Sequence, residues 1–387
     1  MLINCFNIKI TFLSILLFTV FFQISAAQSN EEKILRGIDH VYHLRFDSAE
    51  VEFNQVILND PSNPSGYFFL TMVDWWKINI DRENEFLDDE FEKRVDKVIE
   101  VCDVKLDKNE NDDMAMFYKG GALGYRGLVN SIRESWLKAA EDGKEALNLL
   151  QQAHELNKNN KEVIFGVGLY NYFADYIPER YPVVKPLMII FPKGDKLKGL
   201  AQIKETSVNS VYAKTEAKFV LAYLNLIYEK NYLETELYSL PLHEEYPENP
   251  TFEKYLFNSY AGLGKWNEAL SGWKSVTEKC DSGVKGYTGK FLKRESNYYT
   301  ALSYAKLNRL LESEQYINTA EEITKEIDKD NEHAFTAFIY LLQGMLNDVK
   351  GNRSTAILYY DKVLVMKDFQ DSHIQAEKLK QESFKQF

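Results

Sequence analysis

An all-α solenoid is the fold the sequence predicts, and three observations lead to it. From Glu31 onward apolar residues recur at spacings of three and four, which is the period of amphipathic helices and not of strands. Turn-forming residues interrupt this pattern every fifteen to twenty residues. Asn, Ser or Pro stands at several of the points where a helix must begin, as helix entry requires. The first helices of about eight successive pairs are therefore expected near Asn30, Ser65, Asn111, Asn160, Tyr212, Asn249, Phe291 and Asn331, at intervals of about forty residues, within the period range of helical repeat arrays.

The chain has 387 residues, of which 45% are apolar, enough for two ordinary domains or one elongated array with a continuous core. Its formal net charge of −12 makes it a poor partner for nucleic acid or anionic membranes, because phosphate contacts need clustered Lys and Arg. Residues 1–27 hold Lys9 in a short polar start, an apolar run from Ile10 to Ile24, and Ser25-Ala26-Ala27 before Gln28, the layout of a cleavable secretory signal. The run falls short of the roughly 20 apolar residues a bilayer span needs. An exported protein, periplasmic or extracellular, is expected, with no integral membrane segment after cleavage. Residues 28–387 then form the solenoid. Cys102 and Cys280 lie far apart in sequence and are expected as two separate buried thiols.

Taken in order, the first pair runs from Asn30 to Pro61. The second is stretched by an acidic loop, Asp81 to Glu92, and the third has long helices from Met114 through His154. The fourth begins at Asn160 and meets Pro178, Pro182, Pro186 and Pro192, so an insert over 178–194 is expected between its two helices. Val183-Val184 and Leu187 to Phe191 are too apolar for a solvated loop. They are expected to fold back as a plug over neighbouring helices, and the alternative is a partner-docking site. Pairs from Tyr212, Asn249, Phe291 and Asn331 complete the array, and a half-polar helix over 371–385 suits a cap for the last apolar face.

Gly37, Ala49, Phe53 and Pro61 follow one another at offsets of twelve, four and eight. Gly344, Ala356 and Tyr360 repeat the first two intervals, Tyr260, Ala269 and Trp273 match middle positions, and Ala301, Tyr304 and Ser313 form a looser copy. On these residues the chain resembles the tetratricopeptide repeat family, whose unit places small residues where helices cross closely. The resemblance implies a right-handed solenoid and a protein or peptide partner. The block from Phe165 to Asn171, Pro178 and Gly194 to Leu200 is also similar to tetratricopeptide proteins of the inclusion-body-clearance type. That likeness implies a scaffold and carries no activity.

The chemistry-bearing residues point away from catalysis. His40 and His43 lie one helical turn apart beside Asp39 and Asp47, but structural zinc wants four ligands. His154 and His243 have no companions at ligand spacing. Asp107-x-Asn109-x-Asn111 starts like a calcium loop, yet Asp112 stands where Gly is needed and Tyr118 where the bidentate Glu belongs. Gly283, Gly286 and Gly289-Lys290 lack phosphate-loop spacing and are followed by Phe291, so a flexible link is expected there. No metal and no cofactor are expected. The alternative is a secreted helical-toroid hydrolase of glycans or peptides, using groove carboxylates and the doublets Trp75-Trp76, Tyr298-Tyr299 and Tyr359-Tyr360 to stack sugars. One residue of each doublet should instead pack in the core, since neighbours on a helix point about 100° apart.

A binding groove lined by the first helix of each pair is the more economical expectation. The repeat resemblance places its contacts at Lys254, Asn258, Tyr298, Lys306 and Asp348. Arg180, Tyr181, Ile189, Ile190 and Phe191 would line the insert's docking site.

Overall fold

A computed structural model describes residues 30–180, 192–328 and 332–387, and every regular element among them is helical. The helices are α1 (30–42), α2 (Phe46–Asn59), α3 (Pro64–Ile80), α4 (Asp88–Leu106), α5 (Asp113–Ile132), α6 (Trp136–Leu156), α7 (Lys161–Arg180), α8 (Lys196–Asn209) and α9 (Lys214–Leu224). A π turn, Asn225–Glu229, extends α9. Then follow α10 (Tyr232–Glu245), α11 (Pro250–Gly262), α12 (Trp266–Asp281), α13 (Lys290–Lys306), α14 (Leu310–Ile327), α15 (Ala334–Val349), α16 (Arg353–Leu364) and α17 (Ser372–Gln381). The expected pair starts fall within a few residues of α1, α3, α5, α7, α9, α11 and α13. Asn331 lies outside the described residues, and α15 begins just after it.

The chain divides into two compact units, one up to Ala217 and one from Lys218. In each, most helices pack on the helix before and the helix after, pair upon pair. Each unit is thus a stretch of tetratricopeptide-like α-solenoid. Entry signals written in the sequence are used as caps: Asn63 accepts the Ser65 N–H at 3.0 Å and Asn249 the Thr251 N–H at 3.0 Å. Each stands before a proline at the first helical position, where the missing N–H costs nothing.

The repeat register is visible as side-chain geometry. A Cβ added to Gly37 would lie 2.3 Å from the Phe53 ring, and one added to Gly344 would lie 2.2 Å from the Tyr360 ring. In both copies the aromatic ring of the second helix therefore occupies the space a side chain on the first would need. Ala49 and Ala356, at the intermediate position, are fully buried. In the looser copy Ala301 takes the glycine position, and the Ser313 hydroxyl donates to its carbonyl at 2.8 Å.

The turn inside a pair also repeats. Leu44, Glu134, Lys230, Gly264, Asn308 and Gly351 each adopt a left-handed backbone. In five of these turns the next N–H reaches the carbonyl five residues back: Arg45 to His40, Ser135 to Asn130, Lys265 to Tyr260, Arg309 to Tyr304 and Asn352 to Asn347. This is the Schellman closure of a helix end. At Asn231 the π turn lengthens it by one residue, to Asn225.

Two expectations are corrected here. The acidic loop ends at Leu87, because Asp88, Asp89 and Glu90 form the first turn of α4, where the helix dipole favours carboxylates. The link over Gly283–Gly289 is pinned and not loose: Tyr287 is 1% exposed and donates to Glu253 at 2.6 Å.

The fourth pair departs most from its expected layout. Pro178 does not open the insert, since α7 continues through it to Arg180. Past residue 192, Gly194 comes so close to α7 that an added Cβ would lie 2.5 Å from the Asn171 carbonyl oxygen and 2.6 Å from the Asp175 nitrogen. Asp175 accepts the Lys196 N–H at 2.9 Å, and Asp195 caps α8. One turn on, Gly168 and Gly199 bring the two backbones together, with the Cβ position of Gly199 2.6 Å from both the Gly168 oxygen and the Tyr172 nitrogen. Helix propensity would favour alanine over glycine by about 1 kcal/mol. Here the obstacle is backbone on both sides, so Gly199→Ala should still lose about 1–3 kcal/mol, the cost of overpacking. A urea unfolding midpoint that rises in this variant would contradict the close crossing.

Candidate functional site

In the second unit a polar row crosses the first helices of three successive pairs. Lys254 and Asn258 lie one turn apart on α11 and therefore share a face. Both reach Glu295 on α13, with Lys254 Nζ 2.5 Å from Oε2 and Asn258 Nδ2 donating to Oε1 at 3.4 Å. Asn258 is 8% exposed, and its Oδ1 has no hydrogen-bond partner among the described residues. Beside Glu295, the Arg294 guanidinium pairs with Asp328 at 2.5 Å and meets His333 Nδ1 at 3.1 Å. It lies over the rings of Phe291 and Phe335, at 4.9 and 5.4 Å. The Thr336 hydroxyl donates to the other Asp328 oxygen. Burial, and then the Arg294 charge, push the His333 pKa down and favour its neutral ring.

Asp348, expected on an open face, is instead buried at the end of α15. It accepts from Arg353 Nη1 at 2.9 Å, the Tyr360 hydroxyl at 2.9 Å and the Phe384 backbone N–H at 2.9 Å. Burial pushes its carboxyl up, but these donors and the Ser383 hydroxyl together hold it below the usual range. Tyr298 is also no free contact: its half-buried ring packs among Tyr299, Phe335 and Phe338. Lys306 is exposed, with its ammonium 5.7 Å from the Trp266 ring. Arg180 is exposed at the end of α7, whereas Tyr181, Ile189, Ile190 and Phe191 lie outside the described residues.

The first unit carries a different polar centre. Glu216 is 6% exposed and accepts from the Tyr42 hydroxyl at 3.0 Å and from Trp76 Nε1 at 3.2 Å. Burial raises its pKa to about 7, against the opposing pull of those donors. Glu162 accepts three backbone N–H groups, from Val211, Tyr212 and Ala213, at 2.6, 3.2 and 2.8 Å. It thereby fixes the entry to α9 with a carboxylate, the charge a helix N-terminus favours. Of the aromatic doublets, Tyr359-Tyr360 follows the expectation, with Tyr360 buried and Tyr359 half-buried, whereas Trp75-Trp76 departs from it. Trp75 and Trp76 are both buried, because α3 is packed by α2, α4 and α5 together. That doublet offers no platform to a sugar.

Among the described residues no group of three or more His, Cys, Asp or Glu side chains could hold a metal. His43 meets Asp39 at 3.7 Å, and Asp112 of the calcium-like segment caps α5. Cys102 and Cys280 are free and buried, their thiols raised by burial to about 12 and about 11. None of the helices among the described residues is long and apolar enough to cross a membrane.

Arg294, Glu295 and Glu216 were not singled out from the sequence. A signal existed for Glu216, which sits on the apolar stripe with Phe219 and Val220 at helical spacing.

An all-α arrangement of paired helices carrying polar rows and anchoring carboxylates belongs to the helical-repeat class of architecture. Comparison with known proteins found no matching family model and no matching curated protein. Solved structures similar to it include a tetratricopeptide repeat protein from Parabacteroides merdae, at 13% identity over 92% of this chain and 99% of that one, with a TM-score of 0.30. Yeast Tom70 is similar at 13% identity over 92% and 82%, with a TM-score of 0.41, and the P58(IPK) TPR domain at 14% over 91% and 97%, with a TM-score of 0.25.

Proposed function

We propose that this protein is an exported scaffold that binds a protein or peptide partner along its first helices and performs no covalent chemistry. An envelope assembly or adaptor factor is the role that fits. The observation that carries this reading is the row Lys254–Glu295–Asn258 beside Arg294 and His333. It mixes donors and acceptors across adjacent first helices, the surface that stacked helix pairs offer to partners. The layout of residues 1–27 supports export.

The test is affinity capture of the mature protein from its own compartment, comparing Lys254→Ala with Lys274→Ala. Lys274 lies on α12, the second helix of that pair, and is exposed. Loss of a co-purifying polypeptide in the first variant alone is expected. Equal retention in both, with both folded, would sink the reading.

A further inference from the structure

Beyond α17, residues 382–387 carry no regular structure and return to the second unit. Arg353 Nη2 donates to the Lys380 carbonyl at 2.5 Å, and Asp348 takes the Phe384 N–H and the Ser383 hydroxyl. Phe387 packs against the cluster that includes Ala301, Ile317 and Leu342, with the Phe384 ring 4.8 Å away in a T-shaped contact. Lys385 and Gln386, between the two rings, are exposed. Two aromatic side chains three residues apart, with a backbone N–H held by a receptor carboxylate, make the attachment of a bound extended peptide.

We propose that this strip is a binding site for extended peptides bearing two aromatic residues at that spacing, and that segment 382–387 is its displaceable occupant. The receptor groups hold one another independently of the segment, since Asp348 keeps Arg353 Nη1 at 2.9 Å and Tyr360 at 2.9 Å. Departure of the segment therefore leaves no buried charge unpaired, and the two phenylalanines stay half-exposed even when bound. The inference rests on the scaffold reading and adds the chemistry of one ligand.

The probe is a labelled, amidated peptide Glu-Ser-Phe-Lys-Gln-Phe, titrated into the full chain and into a variant ending at Gln381. Saturable binding to the shortened chain is expected, weakened about ten-fold in the full chain if the segment occupies the site nine-tenths of the time. Replacing both phenylalanines of the peptide with alanine should abolish it. If the folded shortened chain does not bind, or the alanine peptide binds as well, the proposal falls. Should the shortened chain fail to fold, Phe384→Ala with Phe387→Ala in the full chain serves instead. Faster hydrogen exchange at residue 384 and peptide binding are expected there, and unchanged exchange or no binding overturns the idea. A partner that still depends on Lys254 while the peptide fails would leave the scaffold reading standing alone.

Discussion

Arg294→Leu is expected to destabilise the second unit by about 3–5 kcal/mol, the cost of leaving one member of a buried ion pair uncompensated. Arg294 is 1% exposed, and its partner Asp328 is 8% exposed. Leucine fills part of the space between Phe291 and Phe335 but offers Asp328 no donor, leaving that carboxylate with the Thr336 hydroxyl. Adding Asp328→Asn should recover a large part of the loss, because the penalty belongs to the stranded charge and not to the missing contact. The check is a urea denaturation series on the two single variants and the double. A single-variant loss below about 1 kcal/mol, the worth of an exposed pair, would show that the pair is not desolvated.

Glu216→Gln should change how stability depends on pH. The folded carboxyl stays neutral up to about 7, whereas the unfolded group ionises near its ordinary value of 4.5. Between those values the unfolded chain releases a proton the folded one keeps, so stability falls as pH rises from 4.5 to 7 and levels off above. At pH 8 the accumulated loss is on the order of 3 kcal/mol. Glutamine can still accept from Tyr42 and Trp76 and has no charge to bury. The variant should therefore melt higher than the parent at pH 8 and lose most of the slope. Asp74, raised by burial to about 6 despite Arg94 and Lys77, acts in the same direction and leaves a smaller slope between pH 4 and 6. A melting profile unchanged by the substitution would contradict the buried-carboxyl assignment.

The repeat architecture was legible because the constraints that make it are local and periodic. Gly37 with Phe53 and Gly344 with Tyr360 are each a pair at fixed spacing, and the Asn-Pro entries at Asn63 and Asn249 announce α3 and α11. Less of the candidate site could be read. Register alone puts Lys254 and Asn258 on one face of α11, but it does not show the burial of Asp348, whose partners, Tyr360 and Phe384, come from two later segments. Arg294 pairs with Asp328 thirty-four residues on, a distance no periodicity encodes. Leu44, Glu134 and Lys230 take left-handed turns with residues that do not advertise them, since the turn geometry is imposed by the packed helices on either side.

The measurement that bears most directly on the scaffold reading is photo-crosslinking in intact cells, with the photoreactive residue at 254 in one strain and at 274 in another. A discrete polypeptide adduct from position 254 and none from position 274 is the expected result. Equal adducts from both positions, or none from 254 in a correctly folded protein, would contradict binding along the first helices.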